Sequence, residues 1–486
     1  MPGALADILT EARLAARALY EYGQHWLDPT IRLGVTGLAR SGKTVFITAL
    51  VHGLMHGGRF PVFEPSGRIA RARLAPQPDD AVPRFDYEGN LRALIEERRW
   101  PESTERISEL RLVIEYQSQR GAARTLTLDI VDYPGEWLLD LPLLDKTYAQ
   151  WSDESLKLSE VTPRADIARP WHEYLATLDP GSPEDEQAAL KSAALFTHYL
   201  KACRDERYAM SLLPPGRFLM PGDLANSPAL TFSPLRSSGR EEPPAGSLWA
   251  MMRRRFEAYK DVVVRTFFEN HFARLDRQIV LVDALAAFNA GPDAIRDLEG
   301  ALASVLECFR VGRSTFASAL FRPRVGRILF AATKADHLHQ ASHQRLEAIL
   351  ARMTERAAER ASTAGAPLDV VAIAAVRATR EAKVRRGREE LPCIVGVPAA
   401  GEAVGGEVFD GNTEAAMFPG DLPGDPEELF SGAASFRGLT SAARDEADYR
   451  FLRLRPPVLE YSAGAPMLPH IRLDRALQFL LGDKLQ

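Results

Sequence analysis

Cysteine is scarce: Cys203, Cys308 and Cys393 lie far apart among 486 residues and form no CxxC or Cys/His spacing. Neither a disulfide framework nor a thiolate zinc site is indicated, which points to a reducing compartment. Long apolar runs are missing too. Although 46% of the chain is hydrophobic, no uninterrupted stretch could span a bilayer. The opening residues, MPGALADILTEARLAARALYEY, lack the basic start and apolar middle of a secretion signal, so a soluble, cytoplasmic protein is expected. HExxH and GxSxG are absent, which removes two common hydrolase signatures. There is no excess of basic charge: the formal net charge is −5, against a surface built to neutralise nucleic acid. The basic runs at 253–255 and 382–390 are flanked by acids and read as solvated faces, so no specific nucleic acid is expected.

The chain does contain short apolar strands alternating with helices. IRLGVTG (31–37) ends in a glycine turn and VFITALVHGLMHG (45–57) continues as a buried helix. SELRLVIEYQ and TLTLDIVDY flank the turn-prone SQRGAAR and suggest an antiparallel pair. QIVLVDAL, RILFAATKAD and DVVAIAAV, each separated by helical sequence, restore a parallel-strand pattern. The fold class expected is α/β, a mostly parallel sheet with helices on both faces.

An N-terminal helix is expected over 1–29, with Leu5, Ile8, Leu9 and Leu19 on one face. Its mixed charges favour docking on the protein itself over peripheral membrane contact. The first part of the core spans 30–137, with a Pro/Gly/Arg-rich insertion at about 59–90. A large, mainly helical insertion follows over 138–276, then the second part of the core over 277–380. The C-terminal extension, 381–486, carries strands and a terminal helix on which Leu473, Leu477, Leu480 and Leu481 share a face.

GLARSGKT (37–44) matches GxxxxGK[ST], the P-loop or Walker A pattern, between a strand and a helix. Glycines let successive backbone N–H groups turn toward phosphate, and the following helix adds its positive end. Gly37, Leu38, Ala39, Arg40, Ser41, Gly42, Lys43, Thr44 and Val45 are the expected nucleotide contacts. Lys43 would hold the β- and γ-phosphates and Thr44 a Mg²⁺ ion. RILFAA ends in TKAD, a relative of the guanine-reading [NT]KxD. Asp336 can accept both N1–H and the exocyclic amino group of guanine, which adenine cannot match, while Lys334 flanks the base and Thr333 opens the turn. TKAD therefore favours GTP and GDP over an ATP-dependent enzyme or kinase. Ala375 and Val376 stand where a further base-contacting loop is expected.

LTLDIVDYPGEW supplies Asp132, to hold Mg²⁺ through water, and Gly135, whose N–H would face the γ-phosphate. In WPEST, Thr104 is the candidate switch threonine completing the metal shell, with Ser103 behind it. Glu136 occupies the place where a water-orienting glutamine is common, and a carboxylate there is repelled by phosphate unless directed elsewhere. Asp283, at the end of QIVLVDAL, reads as a strand-end structural residue. Arg40 resembles the P-loop arginine of guanylate-binding proteins, which acts as an internal finger; its alternative is to point away and pair with a carboxylate.

GLARSGKT, RFDYEGNL, WPEST, VDYPGEWLLDLPLL, QIVLVDAL and TKADHLH, in this order over most of residues 30–380, resemble the YcjX-like P-loop GTPases of bacteria. The resemblance implies a Ras-like GTPase core with a helical insertion, GTP and GDP binding with Mg²⁺, and an association with stress response. Two functions are carried forward: a GTP-hydrolysing switch, with a protein partner or a nucleotide-dependent dimer, and a nucleotide-dependent scaffold or membrane-stress adaptor with negligible turnover.

Overall fold

The computed structural model describes residues 29–38, 40–103, 105–225, 227–236, 245–309, 325–361, 367–386, 389–404, 406–430, 451–462 and 465–486. Ala39, Thr104 and residues 1–28 of the expected N-terminal helix lie outside this set.

A seven-stranded sheet organises the chain. Its strands are β1 (Thr30–Gly37), β2 (Ile69–Ala75), β3 (Ser108–Gln117), β4 (Ala123–Asp132), β5 (Arg277–Val282), β6 (Arg327–Ala332) and β7 (Leu368–Ala372). Their order is β2-β3-β4-β1-β5-β6-β7. β1 is parallel to both β4 and β5, and β5, β6 and β7 continue in parallel. β3 and β4 form the expected antiparallel pair, with Ser108 opposite Asp132. Every residue of β5 is buried, as a central parallel strand covered on both faces requires. This is the α/β P-loop architecture.

Within the segment at 59–90, the extended IARARLA forms the antiparallel edge strand β2. Its basic residues suit this place, since an edge strand tolerates outward charges such as Arg71 and Arg73 and gains protection against unwanted pairing.

One face of the sheet carries α1 (Lys43–His56), α2 (Tyr87–Ile95) and the C-terminal α11 (Leu473–Leu481). Leu473, Leu477, Leu480 and Leu481 are all buried there. The core on the other face also takes in α3 (Tyr148–Ser159), α4 (Arg164–Leu175), α5 (Glu186–Cys203), α6 (Leu248–Tyr259), α7 (Arg265–Asn270), α8 (Ala284–Ala290), α9 (Pro292–Cys308) and α10 (His343–Ala361), of which α10 lies directly on β6 and β7. The helices drawn from 138–276 thus share one continuous core with the sheet, with Trp151 stacked on Phe256 at 5.0 Å between ring centroids. Arg254 of the basic run pairs with Glu184 at 2.8 Å, and Arg255 pairs with Glu186. Among the described residues no helix is long and apolar enough to cross a membrane.

An ion pair ties α4 to α9. Arg164 and Asp297 have side-chain exposures of only 4% and 6%. Asp297 also accepts the Ser211 and Leu212 N–H groups at 2.6 and 2.9 Å, and Arg164 donates to the Leu212 carbonyl at 2.8 Å. Asp297→Ala leaves a buried guanidinium uncompensated and is expected to cost about 3–5 kcal/mol in urea denaturation. A loss below about 1 kcal/mol, the range of exposed pairs, would count against this tie.

Candidate functional site

The candidate site lies at the carboxyl ends of the parallel strands, where ligands sit in open α/β sheets. β1 stops at Gly37 and α1 begins at Lys43. Gly42 takes the left-handed φ of 80°, and no side chain caps the helix start, which leaves its first N–H groups facing the loop. Lys43 is nearly buried and reaches back over the loop, its Nζ 3.4 Å from the Gly37 carbonyl. The Ser41 N–H closes the turn onto the Leu38 carbonyl at 3.2 Å, and Leu38 N–H is held by Leu281 at 3.2 Å. Ser41 Oγ is buried with no hydrogen-bond partner among the described residues, and it lies inside the turn, 2.0 Å from where a Cβ on Gly37 would stand. Val45 is half-buried in the first turn of α1.

Thr44 Oγ1 donates to the Glu102 carbonyl at 3.1 Å. WPEST is thereby drawn onto the phosphate loop. Ser103 stays exposed beside the contact, and Thr104 next to it lies outside the described residues. Asp132 ends β4 beside Val35 of β1 and is buried at the carboxyl edge. A hydroxyl on α1 and a carboxylate on β4 fit a hard cation completed by phosphate and water, as Mg²⁺ prefers.

Arg40 has φ 60°, and its Nη1 lies 2.7 Å from Glu206 Oε1, with both side chains more than half exposed. It therefore stands in the second of the two arrangements expected, paired with a carboxylate after α5.

Gly135 packs against the phosphate loop: a Cβ added there would lie 2.1 Å from the Gly37 carbonyl oxygen. Glu136 turns the other way. Its carboxylate meets Arg204 at 2.9 Å with 6% side-chain exposure, so it is directed into the helical region rather than at a γ-phosphate. A Cβ on Gly216 would lie 1.9 Å from the Glu136 carbonyl oxygen, so a second glycine presses this turn from the opposite side. Asp140, fully buried, accepts Gly216 N–H at 2.6 Å and Tyr259 Oη–H at 2.7 Å. Burial pushes its pKa up to about 7, partly offset by the Tyr259 and Gly216 donors.

TKAD follows β6. Thr333 N–H donates to Val282 at 2.9 Å, and Lys334 takes φ 59° with its Nζ 2.5 Å from Asp283 Oδ2. Asp283 also caps α8 through Ala286 N–H at 3.1 Å, the strand-end role expected of it. Asp336 is buried, and its Oδ2 accepts Ala378 N–H at 2.8 Å. The loop after β7 thus comes to the aspartate, with half-buried Ala375 and buried Val376 inside it. A carboxylate has about four lone-pair sites, so the Ala378 bond leaves capacity for a base.

A family model described as "YcjX-like family, DUF463" matches residues 31–485. The chain belongs to the YcjX-like family. It is 36% identical over 478 residues to the Ras-like GTPase YcjX of Escherichia coli (strain K12), covering 95% of this chain and 97% of that one. To the Ras-like GTPase YcjX of Shewanella oneidensis it is 33% identical over 488 residues, with coverage of 94% and 95%.

In this YcjX-like chain, sequence reading missed the partners more than the motifs. Lys334 with Asp283 was within reach, because parallel β5 and β6 run in register from Val282 opposite Ala332 and bring the next residues side by side. Arg204 and Glu206 had no local signal; they follow α5 and meet Glu136 and Arg40 only through tertiary packing.

Two outcomes follow from the packing at Gly135 and Asp140. Gly135→Ala forces a methyl against backbone and is expected to cost about 1–3 kcal/mol in urea denaturation; an unchanged midpoint would show that the turn yields freely. Asp140 has a folded-state pKa raised from 3.8 to about 7. Its contribution to stability is therefore fully present below the unfolded value and is lost as pH rises through the folded one. Asp140→Asn is expected to flatten the fall in melting temperature between about pH 4 and 7. An identical slope in the variant would remove Asp140 as its source.

Proposed function

We propose that this protein binds GTP and GDP with Mg²⁺ and hydrolyses GTP to GDP and phosphate as a molecular switch. The observation that carries this is the packing of Gly135 on Gly37, with TKAD and the loop after β7 at the same edge of the sheet. Both YcjX relatives are named Ras-like GTPases, which supports the same chemistry.

Lys43 and the open start of α1 would hold the phosphates, and Gly135 N–H would face the γ-phosphate. Thr44, Asp132 and, on the incoming segment, Thr104 would hold Mg²⁺, which offsets charge on the β- and γ-phosphates. Metal binding then competes with the Thr44–Glu102 bond, coupling the metal to the position of WPEST. Asp336 would read guanine, and Lys334, anchored at Asp283, would lay its stem along the base. Glu136 is tied to Arg204, so it acts as a structural link and not as the water-orienting group. Arg40 would leave Glu206 and cross to the phosphates, where its charge stabilises the transition state.

A second reading, a nucleotide-dependent scaffold or membrane-stress adaptor with negligible turnover, draws support from the same two ion pairs, which hold Arg40 and Glu136 away from the loop. Single-turnover GTP hydrolysis with Mg²⁺, with affinity measured alongside, separates the two. Arg40→Ala is expected to bind GTP normally and hydrolyse it on the order of a hundredfold more slowly. Equal, negligible rates in wild type and variant would favour the scaffold. Lys43→Ala is expected to abolish nucleotide binding, and Asp336→Asn to erode the preference for guanine; unchanged selectivity in the latter would sink the base assignment.

A further inference from the structure

Residues 451–456, FLRLRP, form an extended strip whose side chains alternate, with Leu452 and Leu454 buried and Arg453 exposed. The strip belongs to the C-terminal region. It pairs antiparallel with 397–399, which follow β9 (Glu389–Gly396), itself the antiparallel partner of β8 (Arg380–Arg386). Arg455 N–H donates to the Val397 carbonyl and Ala399 N–H to the Arg453 carbonyl, each at 2.8 Å. Arg453 also pairs with Glu402 at 2.6 Å, and Arg455 Nη1 donates to the Gly411 carbonyl at 2.8 Å.

From this anchorage the strip reaches all three parts of the candidate site. Trp100, which opens WPEST, donates its indole N–H to the Leu454 carbonyl at 2.5 Å, and Arg98 reaches the Pro456 carbonyl at 3.3 Å. WPEST is thus held at two points, because Glu102 accepts from Thr44 of the phosphate loop. Arg453 stands 3.9 Å from Glu206, the residue that holds Arg40. On the base side, a Cβ added to Gly396 would lie 3.2 Å from the Ala378 carbonyl oxygen and 3.7 Å from Leu454 Cδ2, and Ala378 N–H is the group that bonds Asp336. The ties differ in strength on the two sides. Toward its own region the strip has a backbone ladder, a close ion pair and two buried leucines. Toward the site it has side-chain bonds to two carbonyls and a long ion pair whose members are both more than half exposed, which is weak.

We propose that residues 451–456 are a strap across the nucleotide entrance, which must lift from Trp100 and Glu206 for GTP or GDP to enter or leave. The inference rests on the nucleotide-binding reading and adds to it a control on exchange that does not depend on turnover. A segment held by few, exposed contacts opens locally at low cost, and the ladder to 397–399 is the side on which it stays attached. Because each of its ties is to a protein group, loosening one eases entry and exit alike. The strap therefore sets the rate of exchange and leaves affinity nearly unchanged, whereas loss of a direct nucleotide contact acts chiefly on dissociation.

The test is stopped-flow binding and release of N-methylanthraniloyl-GDP with Mg²⁺ by the full chain, in wild type, Trp100→Phe, Arg453→Gln and Lys383→Gln. Trp100→Phe keeps an aromatic ring and removes the N–H; it is expected to speed association and dissociation together by about threefold to tenfold, with the dissociation constant within about twofold of wild type. Arg453→Gln is expected to shift both rates the same way by about twofold, as an exposed pair allows. Lys383→Gln removes an exposed pair with Glu390 between β8 and β9 and is expected to match wild type. Melting curves establish that the variants are folded. Faster dissociation alone, with affinity lost in proportion, makes Trp100 part of the nucleotide contact and overturns the strap, as do rates unchanged in both Trp100→Phe and Arg453→Gln. A wild-type chain that binds no labelled GDP overturns the nucleotide reading and the strap with it, while binding at unaltered rates overturns the strap alone.

Discussion

Gly135 lies so close to the phosphate loop that one added carbon would meet the Gly37 carbonyl oxygen at 2.1 Å. Much else depends on this approach. Backbone against backbone leaves no side chain to absorb a shift, so a movement of the loop is passed directly to the turn after β4. The same turn is pressed from its far side by Gly216, where the corresponding clearance is 1.9 Å. Three segments distant in sequence are therefore stacked as rigid layers, the phosphate loop, the DYPGEW turn and the loop between α5 and α6. Packed interiors respond to such contacts by switching between discrete arrangements rather than by gradual deformation.

Polar contacts extend the stack into the helices. Asp140 accepts from Gly216 and Tyr259, Glu136 pairs with Arg204, and Arg217 lies over the Trp137 ring at 3.2 Å. Arg204 and Glu206 sit two residues apart and reach different parts of the candidate site, one the turn after β4 and the other the phosphate loop. Glu206 also stands 3.9 Å from Arg453, which pairs with Glu402 at 2.6 Å, so the C-terminal region joins the same patch. The region 138–276 thus touches both the turn after β4 and the loop between β1 and α1.

The sheet and the motif residues were legible in the sequence because their causes are local. A glycine turn between an apolar strand and a helix, or an aspartate at a strand end, is written within about ten residues. The extended character of IARARLA was legible but its place in the sheet was not: as an edge strand it carries arginines outward and lacks the apolar run of its neighbours. Nor could sequence decide between the two placements of Arg40, since Glu206 reaches it through the packing of α5. The turn after β4 is intermediate. DxxG marks it, and the repulsion expected between Glu136 and phosphate indicates that the carboxylate must go elsewhere, but only the fold supplies Arg204.

The two departures from a generic switch differ in how firmly they are held. Arg40 and Glu206 are both mostly solvated, and an exposed pair of this kind is worth about 0–1 kcal/mol. A polyphosphate carries more charge than one carboxylate, so little opposes transfer of Arg40 to it. Glu136 and Arg204 have side-chain exposures of 6% and 25%, and removing one partner from a buried pair costs on the order of 3–5 kcal/mol. The interior charge would have to lose its partner before Glu136 could turn toward a water molecule, and the negative phosphates would repel it on arrival. In the proposed switch, transition-state charge would therefore be offset by Arg40 and not by Glu136, whose pair with Arg204 fastens the turn to the helical region.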